Sequence, residues 1–190
     1  MTFAEIWDAQ APTIEDARRA VWSEPGWLGH CLDMLEPVRG IAGDLLELGA
    51  GVGRLTVPIA SEADRSTVWA LDVSPKMLSY LPAVTNVRPV LGDGVNIPPV
   101  VPALAGAWSV VTMQHIPTEA QAGYVAQIAD RLLPGGVFRF QVVVEGDVGP
   151  ISYPVPLDDV LDFCASAGFG AESEPDPVYP TWAWITGRKP

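Results

Sequence analysis

At 190 residues, with 48% hydrophobic and 18% charged side chains, the chain is sized for one globular domain with a single core and not for a disordered segment. Its 23 acids against 11 bases leave a formal net charge of −12, which repels nucleic-acid phosphates and anionic membranes at long range. No apolar run approaches the roughly 18 residues of a membrane span, and MTFAEIWDAQAPTIEDARR lacks a basic-then-apolar leader, so the expected location is the cytoplasm. Cys31 and Cys164 have no metal-ligand spacing around them; they are expected to be reduced and buried, with no metal site.

Residues 1–37 read as helical. Thr13 caps a helix running through Glu15 and Asp16 to Trp22, and Trp27–Leu35 forms a second. Residues 1–40 are expected to be a helical lid on a core of residues 41–190, together one domain. From Asp44 onward short apolar runs recur at Asp44–Leu48, Thr67–Leu71, Val87–Leu91, Trp108–Met113 and Val137–Val144. Helix signals fall between and after them, at Gly53–Ala63, Pro75–Leu81, Thr118–Leu133 and Leu157–Ala167. Strands alternating with helices predict an α/β fold built on a parallel sheet with right-handed crossovers. Asn96–Ala103, with Pro98, Pro99 and Pro102, reads as a loop. In the tail, Gly168 caps the last helix, and strands are placed at Phe169–Ser173 and Thr181–Gly187, the latter with Trp182 and Trp184 on one face. The short proline-rich loop joining them permits only antiparallel pairing.

The segment LLELGAGVGRLT carries the chemistry. An apolar strand ends at Leu48, and Gly49, Gly51 and Gly53 then alternate before a helix begins. Glycines there let the backbone turn sharply and approach a ligand closely, and the helix N-terminus offers N–H groups to an anion. The following strand ends at Asp72, whose carboxylate is placed either to accept the hydroxyls of a ribose or to cap the helix that Pro75 begins. Asp93, in LGDG at the end of the third strand, is placed either to accept the exocyclic amine of adenine or to form an Asp-Gly turn.

The spacing E-x-G-x-G-x-G from Glu47 to Gly53, with Arg54 next, departs from the dinucleotide fingerprint G-x-G-x-x-G. Together with Asp72, Asp93, VVTMQHIP, RLLPGGVFRF and the antiparallel tail, it resembles the class I S-adenosylmethionine-dependent methyltransferases over residues 41–190. The resemblance implies a Rossmann-like fold: a mainly parallel seven-stranded sheet with an antiparallel C-terminal hairpin and helices on both faces. It implies S-adenosylmethionine as cofactor, held by Glu47, Gly49, Ala50, Gly51 and Gly53, with Glu47, Gly49 and Gly51 along the methionine portion. Asp72 would hold the ribose, Val73 and Met77 would pack on adenine, and Asp93 with Gly94 would meet the adenine edge. Met113, at the end of the fourth strand, would lie near the transferred methyl group, with Gln114 and His115 beside it.

Acceptor-side motifs of the nucleic-acid enzymes are missing. The position of an Asn/Asp-Pro-Pro-Tyr/Phe motif reads MQHIP, neither cysteine follows a proline, and Lys76 and Lys189 are the only lysines. A small molecule or sugar-like acceptor is therefore expected, and neither nucleic acid nor membrane is expected as a partner. His115, with an ordinary pKa near neutrality, is the candidate base; its other reading is a loop-orienting side chain. Phe3, Trp7, Trp22 and Trp27 either dock the lid or wall the acceptor pocket, with Trp7 and Gln114 as the acceptor-side candidates. Little is inserted between the fifth strand and the Leu157 helix, so the pocket is expected to be open or completed by a second copy in a homodimer. Two alternatives stand beside this reading: a protein that binds the cofactor without catalysis, and a nicotinamide-dependent oxidoreductase with an atypical turn.

Overall fold

The computed structural model describes residues 2–21, 25–62, 67–146 and 151–190. Three short helices, α1 (Phe3–Ala9), α2 (Ile14–Ala20) and α3 (Pro25–Met34), precede an alternating series of strands and helices. The series runs β1 (Leu45–Leu48), α4 (Thr56–Glu62), β2 (Val68–Asp72), α5 (Pro75–Ser79), β3 (Val87–Leu91), β4 (Leu104–Ser109), α6 (Thr118–Arg131), β5 (Leu132–Val143), α7 (Leu157–Ser166), β6 (Gly170–Pro175) and β7 (Trp182–Arg188). The strands form one seven-stranded sheet in the order β3-β2-β1-β4-β5-β7-β6. Pairing is parallel from β3 to β5, and β7 is antiparallel to both β5 and β6. This is the expected α/β sheet with an antiparallel ending.

Both faces of the sheet are covered, which explains why β1, LLEL, is buried at every position. Its alternate residues Leu46 and Leu48 join a core with Tyr124, Val125 and Ile128 of α6 and Val160 and Cys164 of α7. Leu45 faces the opposite core, with Cys31 of α3, Leu55, Ile59 and Ala60 around α4, and Trp108 and Trp184. The two open edges differ in chemistry. β3 presents exposed Arg88 and Pro89, and β6 presents exposed Glu172 and Glu174.

Several boundaries depart from the sequence reading. The fourth strand spans Leu104–Ser109 and not Trp108–Met113. Its sequence LAGAWS is poor in β-branched residues and carries little strand signal, yet it lies between β1 and β5 in the middle of the sheet, where ladder bonds on both sides fix it. The β-branched pair Val110–Val111 that suggested a strand instead leaves the sheet, with Val111 at φ 55°. Met113 consequently lies in a 3-10 turn, Met113–His115, beyond the strand end. Helix α4 begins at Thr56 and not at Gly53, because Gly51 and Gly53 still have positive φ. Helix α6 stops at Arg131, and β5 starts at Leu132, five residues before the expected Val137. A capping box, in which Thr2 Oγ1 accepts from Glu5 N–H and Glu5 from Thr2 N–H, starts α1, which sequence reading did not separate within residues 1–37. Thr13 caps α2 as expected, its Oγ1 accepting from Asp16 N–H at 3.2 Å. Trp22 and Ala63 lie outside the described residues.

Arg139 of β5 ties α3 to the antiparallel tail. Its side chain is buried, Nε donates to the Met34 carbonyl at 2.9 Å, and Nη1 donates to Thr186 Oγ1 at 2.6 Å. Nη2 pairs with Glu174, and the guanidinium lies 5.0 Å from the Trp184 ring centroid. Glu174 is more than half exposed, so solvent screens that pair while the buried bonds keep their strength. Arg139→Ala is expected to lower unfolding free energy by about 2–4 kcal/mol, because the Met34 carbonyl and Thr186 hydroxyl lose a charged donor. Glu174→Gln is expected to stay within about 1 kcal/mol of wild type. Denaturant titration of both variants separates the contributions.

Candidate active site

A cleft of about 900 Å³, including space open to solvent at its mouth, lies at the C-terminal ends of β1, β2 and β4. This is the point where strand order reverses, β1 having β2 on one side and β4 on the other, and it is where open α/β sheets bind ligands. The glycine turn forms its floor. Gly49 and Ala50 donate backbone N–H bonds of 2.8 and 3.0 Å to the Leu71 carbonyl, which joins the turn to the end of β2. Gly49 has φ 80°, and a Cβ there would lie 2.2 Å from Thr112 Oγ1, so only glycine fits. Gly53 has φ 83°, and its Cβ would meet Leu81 at 2.1 Å; it serves helix packing and does not line the cleft.

Among the described residues, two carboxylates and one guanidinium line the cleft. Asp72, at the tip of β2, accepts Gly51 N–H at 2.8 Å and Ser74 N–H at 2.9 Å. Burial pushes its pKa up, and those backbone bonds oppose the shift. Helix α5 is capped not by Asp72 but by Ser74, whose Oγ accepts from Met77 N–H at 2.9 Å. Glu47, 3% exposed on β1, accepts the Thr56 hydroxyl. Burial pushes its pKa up to about 7, with Arg54 pulling the other way. Arg54 donates to Cys31 Sγ at 3.4 Å, a weak acceptor for a group with five N–H bonds. Val73 and Met77 supply an apolar wall, and Gly94 completes that side.

Helices α1 and α2 flank the opening. Phe3 and Trp7 of α1, Ala20 of α2 and the adjoining Val21 line the cleft. Helix α1 is fixed from the far side of Asp72: Asp8 accepts Ser74 Oγ–H at 2.5 Å and Lys76 N–H at 3.2 Å. Tyr80 OH reaches the carbonyls of Ala11 and Pro12, both at 3.3 Å. On the opposite side the Trp7 and His115 rings meet edge to face, with centroids 5.1 Å apart. Trp27 lies instead against Tyr179 and Trp182, away from the cleft.

Beyond β4 the cleft wall is Val110, Val111, Thr112, His115, Ile116 and Pro117, with Tyr124 from α6. His115 Nδ1 sits 2.6 Å from the Ile151 carbonyl. A carbonyl only accepts, so Nδ1 carries the proton and Nε2 the lone pair. Burial pushes the His115 pKa down, against the Ile151 bond, which favours this neutral form.

Glu47, Gly49, Ala50, Gly51, Asp72, Val73, Met77, Gly94, Trp7 and His115 thus share one cleft. Gly53, Asp93, Met113 and Gln114 are not among its lining residues. Met113 is buried in the core beside Tyr124. Gln114 is buried, and its carbonyl accepts from Tyr153 N–H at 2.7 Å. Asp93 is exposed and closes a turn: Oδ1 accepts from Val95 and Asn96 N–H at 2.8 and 2.6 Å, and Oδ2 from Asn96 Nδ2 at 2.9 Å. Those bonds, led by the Asn96 side chain, pull its pKa down to about 2. Sequence reading did not assign Arg54, Thr112, Ile116 or Tyr124 to the site. Arg54 had a signal, its place directly after the last glycine of the turn; Thr112 and Ile116 were hidden by the misplaced end of β4.

Glu47 is ordinarily protonated only near pH 4.5 but here near pH 7. Between those values the folded chain holds a proton that the unfolded chain has lost, so this group's contribution to stability falls as pH rises. Glu47→Gln is expected to remove a decline of a few kcal/mol between about pH 4.5 and 7, and thermal unfolding measured across that range for both proteins checks it.

The protein-family model described as a methyltransferase domain matches residues 45–136, the span from β1 into β5. No curated protein matches the chain significantly. Among solved structures, DhpI in complex with S-adenosylhomocysteine aligns at a TM-score of 0.72 and 20% identity, over 98% of this chain and 94% of that one. Phosphoethanolamine N-methyltransferase 2 of Haemonchus contortus, in complex with phosphomonomethylethanolamine and S-adenosylhomocysteine, aligns at 0.77 and 15% identity, over 100% of this chain and 60% of that one. An O-methyltransferase family protein of Burkholderia thailandensis aligns at 0.75 and 12% identity, over 97% and 62%. Matched segment and fold point the same way: residues 45–136 match a methyltransferase domain, and the chain as a whole has the fold of S-adenosylmethionine-dependent methyltransferases.

Proposed function

We propose that the chain methylates a small molecule or sugar-like acceptor, with His115 as the general base. The carrying observation is the His115–Ile151 bond, which orients a neutral imidazole at the cleft wall with its lone pair on Nε2. The side chains of the cleft suit S-adenosylmethionine: carboxylates for a cation and for ribose hydroxyls, a guanidinium for a carboxylate, and an apolar wall for an adenine ring. Glu47, Gly49, Ala50, Gly51 and Arg54 would hold the methionine portion, Asp72 the ribose, and Val73, Met77 and Gly94 the adenine. The cofactor supplies a methyl group already activated on a sulfonium. What remains for the protein is to align the acceptor, exclude water and, for a protic acceptor, take up one proton. Phe3 and Trp7 exclude water from above, and Nε2 of His115 takes the proton while Nδ1 keeps its bond to Ile151.

Charge and shape support a small acceptor. Among the described residues Arg54 is the only Lys or Arg lining the cleft, too little for a phosphate track. The Haemonchus contortus neighbour is bound to phosphomonomethylethanolamine, itself a small molecule. No described helix is long and apolar enough to cross a membrane.

With methyl-labelled cofactor at low salt, label is expected in the small-metabolite fraction and not in DNA or RNA; robust labelling of either polymer sinks the acceptor assignment. Once an acceptor is in hand, His115→Ala is expected to lower kcat by about 100-fold or more while S-adenosylhomocysteine affinity moves by less than about threefold. In the wild type, kcat is expected to fall on the acid side as His115 becomes protonated, with its midpoint below the ordinary histidine value because burial lowers that pKa. A pH-independent kcat from pH 5 to 8 removes His115 from the chemistry.

A further inference from the structure

The cleft wall contains one strained peptide, and its support comes from outside the cleft. Val111 has φ 55°, the only non-glycine residue with positive φ among the described residues. For a β-branched side chain this left-handed conformation is strongly disfavoured, so something must hold it. Its N–H donates to Oε1 of Gln141 on β5 at 3.3 Å. Gln141 is wholly buried, and its Nε2 donates to Oδ2 of Asp176 at 2.9 Å. A carboxylate only accepts, so the amide nitrogen must face Asp176 and the amide oxygen must face Val111.

Asp176, just after β6, is itself immobilised. Its Oδ2 also accepts Trp184 Nε1–H at 2.7 Å and lies 3.3 Å from His30 Nε2, while Oδ1 accepts the N–H groups of Val178 and Tyr179 at 2.8 and 3.0 Å. A chain of bonds therefore runs from the antiparallel tail, through β5, to the wall of the cleft. At its end, the Val111 turn presses the Thr112 side chain to where a Cβ on Gly49 would stand, and the Thr112 carbonyl accepts His115 N–H at 2.9 Å.

We propose that Gln141, oriented by Asp176, is a positioning residue for cofactor binding: it holds the Val111 peptide left-handed and thereby seats Thr112 on the glycine turn. The proposal rests on S-adenosylmethionine occupying this cleft. Without the bond, Val111 relaxes toward extended backbone and withdraws the wall from the floor. Glycine adopts positive φ freely, so a glycine at this position makes the clamp unnecessary.

The test is a mutant cycle of Q141M, V111G and the double variant, read by S-adenosylhomocysteine affinity in calorimetry and by melting temperature without ligand. Q141M is expected to weaken binding about tenfold and to lower the melting temperature. In the V111G background the same change is expected to weaken binding less than about twofold and to lower the melting temperature by a clearly smaller amount. Wild-type affinity in Q141M overturns the proposal, as does an equal penalty in both backgrounds. Should Q141M fail to fold, the double variant decides: a soluble, binding protein supports the clamp, and an insoluble one refutes it. Absence of binding by the wild type would instead refute the cofactor reading, while the melting-temperature cycle would still report the coupling of positions 111 and 141.

Discussion

The site is organised by the contact between two turns. The floor is the glycine turn after β1, and the wall is the turn after β4, its neighbour in the sheet. Thr112 occupies the space that any side chain on Gly49 would need, and Ser109 Oγ–H, one turn earlier, donates to the Leu48 carbonyl at 3.0 Å. Because β1 and β4 are adjacent and parallel, their ends emerge together. Several residues around the cleft inherit their positions from this junction: Glu47 and Arg54 flank one turn, and His115 and Ile116 follow the other. A shift of either strand by one residue would exchange core-facing and cleft-facing side chains.

Electrostatics follow from the same arrangement. Buried Glu47 lies one residue before the end of β1, half-buried Asp72 ends β2, and a third acid, Asp8, arrives with α1 against the start of α5. Burial in a half-enclosed cleft raises the pKa values of Glu47 and Asp72 and destabilises the unliganded protein, an effect that a cationic ligand offsets. The strain at Val111 has the same character. Both features disfavour the empty site while shaping it for a ligand, as is usual for functional sites.

How much of this was legible depended on whether a feature is local. The glycine turn, Asp72 and the hairpin ending depend on neighbours within a few residues, and their pattern alone placed them correctly in the fold. The position of β4 depends on its flanking strands: LAGAWS becomes a strand only because β1 and β5 offer ladders on both sides, while Val110 and Val111, better strand formers, turn away. That four-residue displacement carried Met113 out of the strand and into the core. The dual readings of Asp93 could not be separated from sequence, because a turn-closing carboxylate and a ligand-binding one share the same Asp-Gly signature. Gln141 was invisible for a different reason. A glutamine in a buried strand has no local signature, and its partners lie 30 and 35 residues away in the chain.

The two outer strands bear on how the protein behaves in a crowded solution. A sheet ends in unpaired backbone groups, and those groups are templates for adding a strand from another molecule. On β3, Pro89 withholds one donor from any such partner, and Arg88 adds a charge beside it. On β6, Glu172 and Glu174 stand exposed on a chain that already carries a net charge of −12, so a second copy approaching that edge meets like charge. Edge-to-edge fibre growth is thereby opposed at both ends of the sheet by different means, chiefly a missing hydrogen-bond donor at one and coulombic repulsion at the other. Of the two, only the coulombic barrier weakens as salt is raised or pH is lowered, so aggregation under those conditions should begin at the β6 edge.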